Sequence, residues 1–462
     1  MFRFYIALWS AKIVNALIGL LAPDRGSNYA GTVALKIDPD YVSHFKGINY
    51  EKVLFITGTN GKSTTNNLIY HILKGCDVPV HCNLEGANML PGIARLLTKS
   101  STLTGRAAEG WYICETDERS IPRVVPQLPA RNYLILNITE DQVQRNGDAG
   151  YILDLIRDAI PAGSRLYLNH DEPKSGSLSE LSEETVTFGV TQYRNSYPAP
   201  EDNVHTPCPS CYHPLHFDYF NNQGVGPYTC SSCGFNNSSP ADYLISELDQ
   251  DGKQFRLNGH DYPMPLDLPY MIYNEAAAIA VALDLVKLQP APVARALESF
   301  TNIAGRYEVF HRGDKEIKSL RIKQENPETL QNVLNVIASD PEPKLVVFAL
   351  LPVEDFKPWY MNTAYLLSCN VDRMLDTPYV GIYHIGEAVS YDTHRFFRYL
   401  GVPDSKNHLI PESDIDPLLE AIDRENCSNI YVIPSVNFYR QLVDQVKKGG
   451  LTTPCPDRLR NY

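Results

Sequence analysis

Residues 53–73, VLFITGTNGKSTTNNLIYHIL, decide how this chain folds. The apolar run VLFI reads as a buried strand. It feeds a glycine-containing turn and then a helix that starts near Lys62. A strand–turn–helix of this kind aims backbone N–H groups at one point, which suits phosphate oxygens. Gly58, Thr59, Asn60, Gly61, Lys62, Ser63 and Thr64 form the expected cradle. Lys62 supplies a point charge for the β- and γ-phosphates of ATP, and Ser63 a hydroxyl for Mg²⁺. No glycine stands five residues before Gly61, so this is not the long form of the phosphate loop.

An ATP site also needs a carboxylate for the metal. CETDE (114–118) follows the apolar run WYI, and a carboxylate at the end of a parallel strand faces the ligand crevice. Glu115 is the expected Mg²⁺ ligand. Asp117 and Glu118 are weaker candidates, because an acidic pair there also reads as a solvated helix start.

Outward from the loop, apolar runs alternate with helical stretches: WYICE, NYLILNI, SRLYLN and TVTFGV. This pattern predicts an α/β domain with a parallel sheet covered on both faces, over 49–303. YNEAAAIAVALDLVKLQP (273–290) reads as a helix that stops before Pro290. KLVVFALL, YVGIYHIG and NIYVIP mark a second, smaller, Rossmann-like α/β domain over 304–462. Residues 1–48 read as an N-terminal helix followed by a short extended piece, VALKIDPDYV.

The central domain is interrupted at 203–238 by Cys208-x₂-Cys211-x₁₈-Cys230-x₂-Cys233. Four thiolates at this spacing bind Zn²⁺ tetrahedrally and leave no open coordination position, so the expected role is structural. His213 is surplus to a four-cysteine site. The insert is too small to fold without its ion.

The formal net charge of −13 argues against nucleic acid as the main partner. Ten cysteines, six of them scattered, do not form a disulfide framework, and a reducing cytoplasm is the expected location. MFRFYIALWSAKIVNALIGLLAP is interrupted by Lys12 and Asn15. It reads as an amphipathic helix packed on the body, with peripheral contact at the inner membrane surface as the alternative and a signal peptide disfavoured.

Together these stretches resemble the Mur ligases, and more closely the MurT family, Mur-ligase-like subunits of lipid II isoglutaminyl synthases. GTNGKSTT is similar to the family's ATP loop, and NLEGANMLPGIA, CETDERSIPRVVPQL and NITEDQVQRNGD are similar to its following segments. YNEAAAIAVA resembles the helix whose Asn274 would approach the nucleotide. AGRYE resembles the hinge that would bring Arg306 to the ATP. A Cys₄ zinc ribbon in the central domain is itself a feature of the MurT family. In the C-terminal domain Asp355 best matches the catalytic aspartate, although ALLPVEDFKPWYMN lacks the usual Gly and Arg. Glu325 stands where the family has a lysine, with Lys323 nearby. GEAVSYDTHRFFRYLGV fits again, with Asp392, Arg395 and Tyr399.

The resemblance implies ATP-dependent amidation of the D-glutamate α-carboxylate of the lipid II stem peptide, through an acyl phosphate, with Lys62, Glu115 and Asp355 in catalytic roles. No cysteine lies in the Gly-x-Cys-x-Gly setting of a glutaminase nucleophile. The resemblance implies a separate GatD-like glutaminase on the C-terminal domain as the ammonia source. An amino-acid-adding Mur or folylpolyglutamate-type ligase, and an ATP-binding paralogue without catalysis, are the alternatives.

Overall fold

The computed structural model describes residues 1–21, 28–84, 87–141, 147–199, 206–266, 268–300, 307–323, 326–350, 364–386 and 389–454. The chain divides into two compact units. One comprises Met1–Thr139 and Asp148–Asn302, the other Glu140–Gly147 and Ile303–Tyr462.

In the first unit the strands are β1 (Val53–Thr57), β2 (Val80–Cys82), β3 (Trp111–Glu115), β4 (Asn132–Ile135), β5 (Arg165–Asn169), β6 (Thr185–Val190), β7 (His216–Phe217), β8 (Tyr228–Thr229), β9 (Tyr243–Asp249), β10 (Gln254–Leu257) and β11 (His260–Pro263). Nine of them form one sheet in the order β11-β10-β9-β6-β5-β4-β1-β3-β2. It is parallel from β2 to β9 and ends in the antiparallel run β9-β10-β11. Every residue of β1 is buried, which is why its sequence is a continuous apolar run and does not alternate. Because β3 and β4 flank β1 in parallel, the loops after all three strands open on one edge.

Helix α3 (Lys62–Gly75) follows β1 and buries Leu68, Ile69, Ile72 and Leu73 completely. Truncating one of these to Ala costs about 2–5 kcal/mol. The N-terminal segment forms α1 (Phe2–Leu21) and α2 (Tyr29–Ile37), which pack with α4 (Leu90–Lys99). Phe4, Leu8, Tyr41 and Phe45 join the same core as Phe55, Tyr133 and Ile135.

Three local expectations change. VALKI is helical, not extended: α2 buries Ala30, Gly31 and Ala34 against α4. A Cβ on Gly31 would meet the Pro91 carbonyl oxygen at 1.8 Å, so only glycine permits this approach. α1 packs on the body but is not amphipathic, since Ile6, Trp9, Ile13 and Leu17 are exposed opposite its buried face. The helix expected over 273–290 runs as an α-helix over Ile272–Ala280, widens to a π-turn over Val281–Leu285, and gives way to a new helix that begins at Pro290.

The second unit has β12 (Tyr307–Arg312), β13 (Lys315–Leu320), β14 (Lys344–Ala349), β15 (Tyr379–Ile385), β16 (Asn407–Ile410) and β17 (Asn429–Pro434), ordered β12-β13-β17-β14-β15-β16. All neighbours are parallel except the β12–β13 hairpin. Its core joins Phe310, Leu345, Val347, Ile430, Val432, Phe438 and Leu442.

Candidate nucleotide site and metal centre

The turn between β1 and α3 is shaped by glycine and held by asparagine. Gly58 and Gly61 have φ of 130° and 87°. A Cβ on Gly61 would meet Asn274 Oδ1 at 2.2 Å. Thr59 N donates to the Asn137 carbonyl at 2.9 Å, Asn60 N to Asn137 Oδ1 at 2.8 Å, and Asn137 Nδ2 returns a bond to Asn60 O at 3.1 Å. The first turn of α3 therefore presents N–H groups that have no carbonyl four residues earlier to bond. Thr57 Oγ1, buried where the loop begins, has no hydrogen-bond partner among the described residues. This cradle, with a lysine and a hydroxyl at its far end, fits a nucleotide phosphate chain.

Two carboxylates close the loop. Ser63 Oγ donates to Glu115 Oε1 at 2.9 Å, so the hydroxyl and carboxylate expected to share Mg²⁺ stand side by side. Lys62 is buried. Its ammonium donates to the Gly58 carbonyl and, at 3.1 Å, to Glu118 Oε2. Burial alone would lower the Lys62 amine, but Glu118 and then Glu115 hold it above its ordinary value. Glu118 is thus not a solvated helix start. The local sequence cannot reveal this, because the partner lies across the loop. Asp117 does fit that description: its Oδ1 accepts from Arg119 N at 3.1 Å, and its carbonyl accepts the Ser120 and Ile121 N–H groups.

Asn274, from the helix Ile272–Ala280, reaches the start of α3, where its Oδ1 accepts from Thr65 Oγ1 at 3.3 Å. Asn83 was not anticipated. Its Oδ1 accepts from Glu115 N and its Nδ2 donates to Glu115 O, both at 2.8 Å, so it clamps the end of β3. Asn137 was not anticipated either. Single asparagines after short strands carry no periodicity that would mark them.

Cys208, Cys211, Cys230 and Cys233 converge. Their Sγ atoms all lie within 4.8 Å of one another, with Cys208–Cys233 at 3.6 Å and Cys211–Cys230 at 3.5 Å. Four Zn–S bonds of about 2.3 Å require sulfurs at such separations. Each pair ends in a left-handed residue, Tyr212 (φ 63°) and Gly234 (φ 78°), which turns both sulfurs inward. His213 is exposed, with Nδ1 against the Cys211 carbonyl.

The insert is tied to the end of β6, inside the sheet. Asn221 Nδ2 donates to Val190 O and to Tyr273 Oη, each at 2.9 Å, and Tyr273 Oη donates to Asp171 Oδ2 at 2.8 Å. Burial, reinforced by Asp171, pushes the Tyr273 phenol well up, so it remains a donor. Tyr273 is the residue before Asn274, which links the knuckle's base to the phosphate loop through one helical turn.

In the second unit Lys323 Nζ donates to Asp141 Oδ2 at 2.5 Å, and Asn326 Nδ2 donates to Asp141 Oδ1 at 3.1 Å. Asp392, Arg395 and Tyr399 are exposed along the helix Val389–Tyr399. Arg306, Glu325 and Asp355 lie outside the described residues.

No family model matches the chain. It is 32% identical over 294 residues to the MurT subunit of lipid II isoglutaminyl synthase (glutamine-hydrolyzing) from Staphylococcus aureus, covering 63% of this chain and 65% of that one. The match thus spans just under two thirds of the staphylococcal subunit. To the MurT subunit from Streptococcus pneumoniae it is 29% identical over 420 residues, 88% of this chain and 90% of that one. A pseudomurein peptide ligase type C from Methanothermus fervidus superposes with a TM-score of 0.63 at 18% identity, covering 92% of this chain and 85% of that one. MurF from Thermotoga maritima in complex with ADP gives 0.54 at 13% identity, covering 91% and 84%. By sequence over most of its length this chain is similar to the MurT subunits, and its fold is that of the Mur ligases.

Proposed function

We propose that this chain is the ligase subunit that amidates the D-glutamate α-carboxylate of the lipid II stem peptide, consuming ATP and drawing ammonia from a GatD-like glutaminase. The observation that carries this reading is the pairing of Ser63 with Glu115, and of Lys62 with Glu118, at a glycine turn in a chain similar to MurT over 420 residues.

ATP would supply the phosphoryl group that makes the carboxylate an acyl phosphate; ammonia then forms the C–N bond at its carbonyl carbon as the C–O bond breaks and inorganic phosphate leaves. The chain's own residues place and neutralise charge. The Gly58–Thr64 backbone orients the phosphates, and Lys62, kept protonated by its carboxylate neighbours, offers a fixed positive charge. Glu118 is the anion that an incoming phosphate displaces from that amine. Ser63 and Glu115 would hold Mg²⁺, Asn274 would keep the loop against the nucleotide, and Arg306 would reach the ATP. Asp355 would position ammonia.

A separate ammonia source accords with the state of the cysteines near the site. Burial pushes the Cys82 and Cys114 thiols up, the opposite of what a glutaminase nucleophile needs. The four knuckle cysteines would hold a structural Zn²⁺. An ATP-binding paralogue without amidation is the alternative that the altered stretch around Asp355 favours.

The test incubates the purified chain with lipid II, ATP, Mg²⁺ and an ammonium salt and reads the product by mass spectrometry. Replacement of a hydroxyl by an amino group, with ATP consumed, supports amidation. Intact ATP binding with unmodified lipid II overturns it in favour of the paralogue. Loss of amidation on Asp355→Asn is the expected result, and full activity would remove that residue's assignment.

A further inference from the structure

Helix α1 is apolar on two opposite faces, and only one of them is used. Phe4, Ala7, Leu8 and Ala11 are buried against the first unit. Phe2, Ile6, Trp9, Ile13, Leu17 and Leu20 are 40–80% exposed. At helical spacing these six fall within an arc of about 80°. They form a continuous ridge of large side chains that nothing among the described residues covers. The Leu103 side chain, 67% exposed, stands beside the ridge, where Trp9 Nε1 donates to the Leu103 carbonyl at 3.0 Å. Contiguous apolar surface of this kind marks an interaction site.

The charge around the ridge selects the partner. The chain carries a formal net charge of −13, yet α1, α2, α4 and the loop from 100 to 108 contain no Asp or Glu. They contribute Arg3, Lys12, Lys36, Arg95, Lys99 and Arg106. The three helices touch one another, so these elements bring basic residues, and no acidic residue of their own, to the corner that carries the apolar ridge; Asp38, just beyond α2, is buried against His44. The Lys99 amine is lowered first by burial and then by the Arg95 charge.

We infer that this corner is a docking surface for an anionic lipid bilayer, with α1 lying in the plane of the interface and its exposed ridge immersed among the acyl chains. Large apolar side chains on one face, with basic flanks and no acid, are the physical requirements for interfacial binding. α1 is also long and apolar enough to cross a bilayer. Its other face argues against crossing. Lys12 Nζ donates to the Thr98 and Ser101 carbonyls at 2.8 and 2.7 Å, and Arg95 Nε donates to Asn15 Oδ1 at 3.3 Å. A spanning helix would abandon these bonds and the buried Phe4–Ala11 contacts. The inference goes beyond the amidation reading. It would hold the chain at the surface where a lipid-linked substrate lies, but it stands on α1 and its neighbours alone.

The test is co-sedimentation of the full chain with vesicles of equal parts phosphatidylcholine and phosphatidylglycerol, containing no lipid II, against vesicles of phosphatidylcholine only. A failure here is therefore distinct from a failure of amidation. The expected result is binding to the anionic vesicles that weakens with salt and is weaker on phosphatidylcholine. The triple variant Ile6→Gln/Ile13→Gln/Leu17→Gln should melt like the parent and partition at least about tenfold less. Arg3→Gln should lose roughly fivefold on anionic vesicles only. The inference is overturned if the parent stays in the supernatant, or if the triple variant binds as well as the parent. It is equally overturned if light scattering shows the parent to be a dimer that ignores vesicles and the triple variant a monomer, because the ridge would then be a contact between copies.

Discussion

The phosphate loop and the four-cysteine knuckle are both short motifs, yet they are held in opposite ways. The loop lies between a buried strand and a buried helix; Asn137 and Asn274 grip it and the start of α3 from two other segments, and Asn83 clamps Glu115 beside it. Hydrogen bonds within the chain hold its shape. The knuckle stands on a small cluster around Leu215, Phe217, Phe220 and Tyr228, part of which is its own Cys208 and Cys230. Its strands are two residues each, and Tyr212 and Cys233 face solvent. So small a core does not order a loop by itself, and four thiolates converging on one ion would supply the remainder. A rigid scaffold would thus make one motif independent of its ligand, and the lack of one would make the other depend on it.

The largest expected effect tests the loop. Lys62→Ala should lower ATP-dependent turnover by about 10²–10³-fold or more while the melting temperature stays near that of the parent, because the loop's geometry rests on asparagines. A variant that unfolds would instead make the lysine part of the scaffold.

Next, chelation or Cys208→Ser should open the knuckle. Zinc content should fall to zero and protease should cut within 206–240, with the first unit's main transition moving far less. ATP affinity should drop by a few-fold through Asn221, Tyr273 and Asn274. An unchanged cleavage pattern after chelation would erase the contrast between the two motifs.

Tyr273→Phe probes the connection directly. Removing the hydroxyl that bonds Asp171 and accepts from Asn221 should cost about 1–2 kcal/mol in thermal or denaturant unfolding. The cost should be smaller in chelated protein, since the two perturbations share partners. Strict additivity would show that the knuckle and the Asn274 helix are uncoupled.

Acid should separate the motifs with the smallest change in global stability. Burial holds the Glu172 carboxyl above its ordinary 4.5, against the N–H bonds it accepts from Ser175, Lys174 and Ile138. The folded chain therefore binds that proton more tightly than the unfolded chain. Its contribution to stability is full below 4.5 and is lost as pH rises through the raised folded value. The knuckle runs the other way, because protonating its thiolates releases the metal as pH falls. Mild acidification should free zinc while α3 keeps its amide protection in hydrogen exchange. Simultaneous loss of both would count against an independently built loop.

The readable parts of this molecule were the ones whose signal is local. VLFIT, WYICE, KLVVFA and most of NIYVIP are buried on both faces and show it as nearly unbroken apolar runs. Lys62, Ser63 and the cysteine pairs are legible because strand, turn and helix, or two CxxC units, lie within a few residues. Other features gave no such signal. VALKI is mostly apolar and β-branched at two positions, Val33 and Ile37, and becomes helix because Gly31 lets α2 close on α4. Glu118 has the composition of a helix start, and becomes the partner of Lys62 because the loop after β3 faces the loop after β1.

The sequence by itself determined the α/β class, the strand–turn–helix around Lys62 and Ser63, and the two cysteine pairs that converge, since each depends on residues near one another in the chain. Tertiary structure alone decided which asparagines grip the loop, that Glu118 is buried against a lysine, that the knuckle reaches Asn274 through Tyr273, and that α1 leaves one apolar face uncovered. All four depend on which strand ends and helix faces the sheet brings together, and those contacts join residues up to about two hundred positions apart, as Thr65 and Asn274 are.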